Sequence, residues 1–273
     1  MNLKVLILSI IWLGSFQVVF SQINLKDTIN YEFVYDFSYQ ENNVDTLSKK
    51  TSTMVLKVAN NFSYYINNEN MRLREMFSAY RGSNQMPVIK SRPKTRLLYV
   101  VIKDFKKGEL SFSDRIGTSY YYYTQPMNQF KWKLVNEEKD ILGYTCKKAT
   151  MQFAGRDYIA WYATDIPISD GPYKFNGLPG LILSIYDEKK HYEFTVRSIE
   201  KVSYFFATKD EFFDHIEMSK SNFDELLERY RQKPSAMLNT GGIQFPKELL
   251  EKADRRAKER LQYENNPLEL TNE

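Results

Sequence analysis

Aromatic residues at every second position of residues 30–39 (NYEFVYDFSY) constrain the fold of this chain more than any other feature. Those residues are Tyr31, Phe33, Tyr35, Phe37 and Tyr39. Successive side chains of a β-strand point to opposite faces of the sheet, so a period of two indicates a half-buried strand. The aromatic face of this strand is therefore expected to meet a core.

Further segments have the apolar content or the alternation of strands. They lie at residues 53–59, 62–67, 97–105, 109–115, 119–125, 131–134, 144–153, 156–163, 181–186 and 192–201. The short joints at residues 106–108 and 154–155 contain glycine and are typical of hairpin turns. Since parallel neighbours need much longer crossovers, we expect a mainly antiparallel sheet.

Helix signals appear only toward the C-terminus. Thr208 and Glu211 have the spacing of a capping box, which predicts a helix that includes Ile216. Ser221 is expected to begin a second helix, and Pro246 a third. In the third helix, apolar residues recur every four positions, at Leu249, Ala253, Ala257 and Leu261.

One domain is expected, because no Gly/Ser-rich or Pro-rich linker divides the sequence and β-rich domains often reach about 250 residues. We expect residues 22–266 to form a β-rich α+β domain. Its curved, half-barrel-like, mainly antiparallel sheet would carry the C-terminal helices from about residue 208. Residues 267–273, from Pro267 onward, are expected to form a loose tail.

Residues 1–21 have the pattern of a secretory signal peptide. Lys4 precedes a mostly apolar run that ends in Val19-Phe20-Ser21, so cleavage is expected before Gln22. An uncleaved anchor is the less favoured alternative, because polar residues leave the run shorter than the roughly 20 apolar residues of a membrane span. No cysteine follows directly after the apolar run, so a lipid-modified N-terminal cysteine is not expected. The mature protein is expected to be periplasmic or secreted, and neither a lipoprotein nor membrane-spanning.

The net charge of +4, or +3 without Lys4, is too small to predict binding to nucleic acid. Cys146 is the single cysteine, so no disulfide can form within the chain. A lone cysteine is usually a small buried hydrophobe, and this interpretation is favoured. The alternative is a reactive thiol, because Lys147 and Lys148 would favour the thiolate.

Glycine and proline crowd the segment GPYKFNGLPG, which precedes the apolar strand at residues 181–186. Pro179 and Gly180 suit the central positions of a type II turn, which needs a positive φ at the second position. The loop at residues 166–180 is then a stiff corner that feeds a central strand, which is the favoured interpretation, or a binding loop.

The binding-loop interpretation assigns residues that would contact a ligand or partner. Lys174 and Asn176 are expected to be exposed, and Trp161 and Tyr162 are candidate aromatic contacts. The loop residues assigned to this role are Asp170, Gly171, Pro172, Lys174, Asn176, Gly177, Leu178, Pro179 and Gly180.

The motifs around this loop resemble those of a known family. GLPGLIL follows WYATDIPISDGPYKFN, with GYTCKKA before it and YENNPLEL near the C-terminus. In this order they closely resemble the GLPGLI family of exported Bacteroidetes proteins, also called Porph_ging, over most of the mature chain. The family has no established activity, so the resemblance implies origin and export. Leu268 stands where the usual tail pattern has Ile, which is a minor departure.

No motif for catalysis or metal binding is evident. His191 lies beside a polar turn and His215 lies in the first predicted helix, and neither adjoins a motif serine. Both are interpreted as surface or packing residues. The sequence has no HExxH, no zinc-ligand spacing and no phosphate loop, so neither metal nor cofactor is predicted.

Two surfaces offer alternatives for binding. Lys90, Arg92, Lys94 and Arg96 alternate along the chain, and a solvated edge that resists strand addition is favoured over an anion site. Residues 120–123 are four consecutive tyrosines, which would occupy both faces of a strand as core and as an amphipathic surface.

The sequence thus favours an exported, non-catalytic binding or envelope-interaction protein for an apolar ligand or an envelope protein partner. A curved sheet with helices in its concavity suggests the apolar ligand by analogy of architecture. The alternative is a hydrolase. Asp157, Asp165 and Asp170 bracket the Trp161 strand and the turn at Gly171 and Pro172, and a converging pair would suit acid–base catalysis.

Overall fold

The structure is a computed structural model that describes residues 23, 25–80, 95–208, 215–238 and 245–270 of the chain. The predicted signal peptide lies outside the described residues, as does the alternating basic run apart from Arg96.

Twelve strands form one sheet in the order β12-β6-β5-β4-β3-β2-β1-β11-β10-β9-β8-β7. All neighbours are antiparallel except β12 and β6, which are parallel. Each predicted strand is present, with shifted ends in several cases. The strands are β1 Lys26–Gln40, β2 Lys49–Ala59, β3 Phe62–Asn67, β4 Val100–Asp104, β5 Glu109–Ile116, β6 Ser119–Pro126, β7 Lys133–Ile141, β8 Tyr144–Phe153, β9 Arg156–Ala163, β10 Leu181–Asp187, β11 Tyr192–Ala207 and β12 Ile216–Glu217.

The hairpins have the turn chemistry that antiparallel pairing needs. Ala154 and Gly155 both have positive φ, at +47° and +76°, as a two-residue turn of type I′ requires. Leu142 and Gly143 repeat this geometry between β7 and β8, at +50° and +81°. Gly108, at φ +67°, ends the predicted turn between β4 and β5.

The sheet is strongly curved. Phe175 packs its ring against Tyr158 on β9, with centroids 5.0 Å apart, and its carbonyl accepts a 3.0 Å hydrogen bond from Lys103 on β4. Six strand spacings separate β4 from β9, which is about 29 Å in a flat sheet. One residue can touch both strands only if the sheet curls around it, and the described edges β7 and β12 do not pair.

Both faces of the sheet are packed. The aromatic face of β1 lies in the main core inside the curve, where Phe33, Tyr35 and Phe37 are at most 2% exposed. A second cluster covers the outer face around Phe62, Tyr64 and the first helix. The expectation that the β1 aromatics meet a core is confirmed.

Four helices accompany the sheet within the described residues: α1 Asn68–Ala79, α2 Lys220–Gln232, α3 Ser235–Leu238 and α4 Lys247–Tyr263. Helix α1 was not expected. Its N-terminus is capped by the Asn67 side chain, which accepts from the amides of Glu69 and Asn70. Helix α4 begins after Pro246 as predicted.

Two helix predictions need correction. The N-cap of α2 is Ser219, not Ser221, because the Ser219 hydroxyl accepts from the Asn222 amide at 3.2 Å. The helix expected from Thr208 does not include Ile216, which pairs with β6 as part of β12, and His215 precedes that strand. Residue Glu211 lies outside the described residues. In the described ranges, no helix has the length and apolar content needed to cross a membrane.

Residues 267–270, expected as the start of a loose tail, make specific contacts. Pro267 and Leu268 accept hydrogen bonds from Arg156 through their carbonyls, and the Leu270 amide donates to Ala154. Asn266, just before them, is 4% exposed. The segment therefore packs across the end of β9.

Candidate functional site

The loop at residues 166–180 folds into the curve of the sheet. Residues 170–176 are all buried, and Lys174 and Asn176 are 1% and 3% exposed. The expectation that these two side chains are exposed is wrong. The loop does not project from the end of the sheet, because Lys174, Asn176 and one oxygen of Asp170 find partners inside, although Asp170 Oδ2 is buried without a hydrogen-bond partner in the described residues.

Lys103 on β4 anchors the loop from the sheet. Its ammonium donates to Asp170 Oδ1 at 2.5 Å, to the Gly171 carbonyl at 2.7 Å and to the Phe175 carbonyl at 3.0 Å. Lys103 and Asp170 are both 0% exposed. Burial lowers the pKa of Lys103, and the charge of Asp170 opposes this shift. All three ammonium protons are satisfied, so this is a closed structural contact.

Lys174 provides a second set of contacts that hold the loop. Its ammonium contacts Tyr123 Oη at 2.8 Å and Glu269 Oε1 at 2.5 Å, and lies 4.8 Å from the centre of the Phe112 ring. Tyr173 Oη also donates to Glu269, at 2.6 Å. The GPYKFN and YENNPLEL motifs, far apart in sequence, are therefore in direct contact.

The two critical glycines are required by close packing. A Cβ on Gly171 would lie 2.8 Å from Ile182 Cβ, and one on Gly180 would lie 2.2 Å from the Ala163 carbonyl oxygen. The predicted type II turn is wrong, because the Leu181 amide bonds to the Ile166 carbonyl and Gly180 has φ +159°, far from the +80° of that turn. Position 180 requires glycine because its backbone passes so close to the Ala163 carbonyl that a side chain has no space.

Gly177 and Pro179 are the exposed residues in the second half of the loop. Gly177 has φ +93°, a conformation that favours glycine. Leu178 between them is 1% exposed and lies in the main core. The loop thus presents a short backbone edge to solvent.

The candidate aromatic contacts on β9 are also buried. Trp161 is 7% exposed and Tyr162 3% exposed. The Trp161 ring is covered by the ammonium groups of Lys139 and Lys148, at 5.8 and 5.9 Å from its centre. Both aromatic residues belong to the main core.

The carboxylates of the hydrolase alternative do not converge. Asp157 lies at the start of β9 and Asp165 follows its end, which separates them by about 26 Å along an extended strand. Asp170 is fully buried and paired with Lys103. These residues therefore form no acid–base pair around Trp161.

What the loop leaves open is a cleft of about 400 Å³ between the sheet, α2 and the C-terminal segment. We call it the aromatic cleft. Its aromatic lining is Phe37, Tyr39, Tyr99, Phe112, Tyr123, Tyr173, Tyr192 and Phe223, and its charged lining is Glu41, Arg96, Asp114, Lys174, Asp224, Arg231, Arg260, Glu264 and Glu269. Lys174 is the predicted loop contact that takes part, and Trp161 and Tyr162 do not.

Most charges of the cleft are already paired. Lys174 binds Glu269 at 2.5 Å, and Arg96 binds Glu264 at 2.7 Å. Asp114 is different: it is half-buried, forms no ion pair among the described residues, and accepts from the Arg115 amide at 2.7 Å. Burial raises the pKa of Asp114 to about 7, although the Arg115 amide, Arg231 and Arg74 oppose the shift.

A serine–histidine contact lies on the outer face of the sheet. Ser113 Oγ and His215 Nδ1 are 2.9 Å apart, and His215 stacks on Tyr120 at 4.7 Å. Both are buried, at 1% and 3% exposure, and neither lines the cleft. Burial, with a smaller contribution from Arg74, lowers the pKa of His215 to about 3. The histidine is a packing residue, as predicted, although outside a helix.

Cys146 is fully buried. Burial is the main cause that raises the pKa of its thiol to about 11, with Asp140 adding to the shift. The favoured interpretation as a small buried hydrophobe is confirmed over that of a reactive thiolate. Over the described ranges, no three His, Cys, Asp or Glu side chains converge as ligands of a metal ion.

Sequence reasoning missed Lys103 and the aromatic cleft. Lys103 stands at the end of the apolar run Val100-Val101-Ile102. A lone charged residue in a buried strand signals a buried partner, because lysine is almost never fully buried unpaired. No local sequence pattern pointed to the cleft, since its lining comes from four strands, two helices and the segments that connect them.

The fold and site define a class: an open, strongly curved antiparallel sheet that encloses one of its own loops and carries C-terminal helices. Residues 155–184 match the Porph_ging family, described as a protein of unknown function. The predicted resemblance to the GLPGLI family is confirmed over that stretch, which contains the anchored loop.

Two solved structures of PNGF-II share the fold. One covers 75% of this chain and 34% of its own, at 16% identity and a TM-score of 0.53. The second covers 75% and 33%, at 16% identity and a TM-score of 0.54. The chain thus spans about a third of PNGF-II, and the likeness concerns the fold alone. No curated protein matches the sequence.

Proposed function

We propose that this chain is an exported, non-catalytic binding protein whose ligand or envelope protein partner enters the aromatic cleft. The observation that carries the proposal is the cleft itself, about 400 Å³ with aromatic walls and a charged rim. Small-molecule sites typically have volumes of about 300–1,000 Å³, apolar walls and a few polar groups that fix orientation.

The loop at residues 166–180 supports binding indirectly. Tyr173 and Lys174 form part of the cleft wall, and both are held by Glu269. Lys103 holds the same loop from below. A wall fixed from two sides is pre-organised, which lowers the entropy lost on binding.

The helices supply the opposite wall. Phe223 and Leu227 of α2 line the cleft, and Phe223 packs edge-on to Tyr123 with ring centres 5.1 Å apart. Leu227 is only half-buried, so part of its side chain is free to contact a ligand. Filling the cleft from this position should block binding without disturbing the sheet.

Native mass spectrometry of the protein purified from its own cell envelope tests this proposal. We expect wild type to carry a bound molecule or partner, and Leu227→Trp to lose it because the indole fills the cleft. Leu249→Trp is the control, since Leu249 is 54% exposed on α4 and does not line the cleft. A cargo retained by Leu227→Trp, or none in wild type, would contradict the proposal.

Export is a separate part of the proposal. The support is the signal-peptide pattern that ends in Val19-Phe20-Ser21. The intact mass of protein from the native envelope should correspond to a chain that begins at Gln22. A mass that includes Met1 would contradict export as a cleaved, soluble protein.

A further inference from the structure

We infer that the ligand of the aromatic cleft is a saccharide. This inference rests on the proposed function and adds the chemical class of the ligand. It follows from three properties of the cleft. The lining has partly exposed aromatic rings, its charges of both signs are mostly paired with one another, and the carboxyl group of Asp114 forms no ion pair in the described part of the chain.

The aromatic rings offer apolar surfaces of the right kind. Tyr39 and Phe112 line the cleft and are half-buried, whereas Phe37 and Tyr123 beneath them are 2% exposed. Tyr39 stacks on Phe37 at 5.1 Å, which holds its ring in a fixed orientation, whereas the Phe112 ring is covered by Lys174 at 4.8 Å and by Tyr123 at 5.5 Å. A ring face carries partial negative charge and attracts the polarised C–H bonds of a sugar ring.

The paired charges argue against a charged ligand. Glu269 is neutralised by Lys174, Glu264 by Arg96, and Asp224 by Lys220 at 3.0 Å. A carboxylate or ammonium brought into the cleft away from Arg231 and Asp114 would have to break such a pair or remain desolvated without a partner, which is costly. Hydroxyl groups bear no charge and both donate and accept hydrogen bonds, so they suit a lining of both signs.

Asp114 and Arg231 are the polar groups that remain available. Arg231 is exposed and, like Asp114, forms no ion pair in the described part of the chain. The carboxyl group of Asp114 lies on β5 beside Phe112 on the same face of the strand. A sugar bound in the cleft would have hydroxyls available to this carboxyl group, which lines the same cleft. Because its pKa is near 7, Asp114 can donate as well as accept at neutral pH.

A hydrophobic or peptide ligand fits less well. A fatty acyl chain would cover the Asp114 carboxyl group without giving it a hydrogen-bond partner. A dipeptide would bring two charges, for which Asp114 and Arg231 are the unpaired partners in the described lining. The cleft therefore favours a neutral polyhydroxylated ligand of one or two rings.

Ligand-observed NMR with the mature protein tests the class directly. The probes are glucose, galactose, mannose, N-acetylglucosamine and their disaccharides, with Gly-Tyr dipeptide and decanoate as the competing classes. We expect saturation transfer to at least one saccharide. Tyr39→Leu should weaken that saccharide about 5-fold by removing an aromatic face. The control is Phe205→Leu, because Phe205 is 69% exposed on β11 and lies outside the cleft. The Phe205→Leu protein should bind the saccharide with the affinity of wild type.

The outcomes separate the two proposals. If no saccharide binds, the inference is overturned. If Gly-Tyr or decanoate binds instead and Leu227→Trp removes that binding, the cleft is a binding site of another class and the proposed function stands. If a saccharide binds equally to Tyr39→Leu, Leu227→Trp and wild type, it does not occupy the cleft and the inference is again overturned.

Discussion

Lys103 and Asp170, which are 67 residues apart in sequence, form an ion pair of 2.5 Å with neither side chain exposed to solvent. The pair joins β4 of the sheet to the loop at residues 166–180. It explains why a loop with lysine, aspartate and asparagine lies in a core of aromatic rings.

Removing one partner of this pair should strongly destabilise the fold. Lys103→Met leaves the Asp170 carboxylate buried without its cation, and we expect a loss of about 3 to 5 kcal/mol in the free energy of unfolding. Urea denaturation measures the change. Asp36→Asn, which removes an exposed partner of Arg197, is the control and should change stability by less than about 0.5 kcal/mol. A Lys103→Met protein as stable as wild type would show that the pair is not formed.

Gly180 should be sensitive to any side chain. Gly180→Ala places its Cβ 2.2 Å from the Ala163 carbonyl oxygen, and we expect a loss of about 2 to 3 kcal/mol because backbone must move. Gly180→Asn should be no milder, since the conflict is one of space. Gly143→Ala is the control: it has φ +81° but open space around the added Cβ, so its cost should stay near 1 kcal/mol. Equal melting temperatures for the two alanine variants would refute the close-contact explanation.

Glu269 should stabilise the loop through Lys174. Glu269→Gln keeps an acceptor 2.5 Å from the ammonium but removes the charge that offsets its burial, so we expect a loss of about 1 to 3 kcal/mol. Chemical denaturation provides the measurement. Glu251→Gln, in an exposed pair with Lys247 on α4, should be nearly neutral. If the two variants are alike, the C-terminal segment does not hold the loop.

His215 should make the protein less stable in mild acid. Its folded pKa of about 3 lies below the usual histidine pKa of 6.5, so between these values the unfolded chain binds a proton that the folded chain does not. Stability is therefore retained above pH 6.5 and lost as the pH falls toward 3, by up to about 1.4 kcal/mol per pH unit.

The variant His215→Phe, which can keep the stack on Tyr120, should reduce this slope in denaturation series between pH 6.5 and 4. Asp114→Asn should change the slope of stability against pH in the opposite direction. The folded pKa of Asp114, about 7, exceeds 3.8, so its contribution is lost as the pH rises through that window. An unchanged slope in His215→Phe would mean that His215 is not held neutral.

The strands were predictable because each has a local cause. The alternation in β1, the glycine joints after β4 and β8, and the apolar run of β10 all act within a few residues of chain. No feature within residues 166–180 predicts that this loop folds into the curve of the sheet. Lys174 is usually read as exposed because it is charged, and its partner Glu269 lies 95 residues away.

The helices show the same division. Pro246 is a local signal for the start of α4. Helix α1, with the sequence NENMRLREMFSA, lacks a clean apolar stripe and begins directly after β3, so it gave no such signal. Ile216 pairs with Tyr121, which is distant in sequence. Long-range pairing therefore overrode the helical propensity that was expected at this residue.

The central claim is that ligands bind in the aromatic cleft and not at the exposed part of the glycine–proline loop, residues 177–179. Hydrogen–deuterium exchange, measured by mass spectrometry on the mature protein with and without its bound molecule, tests it most directly. We predict slower exchange in the bound state for α2 and residues 264–269, which line the cleft, and no change at the exposed backbone of residues 177–179. Protection confined to residues 177–179 would contradict the account.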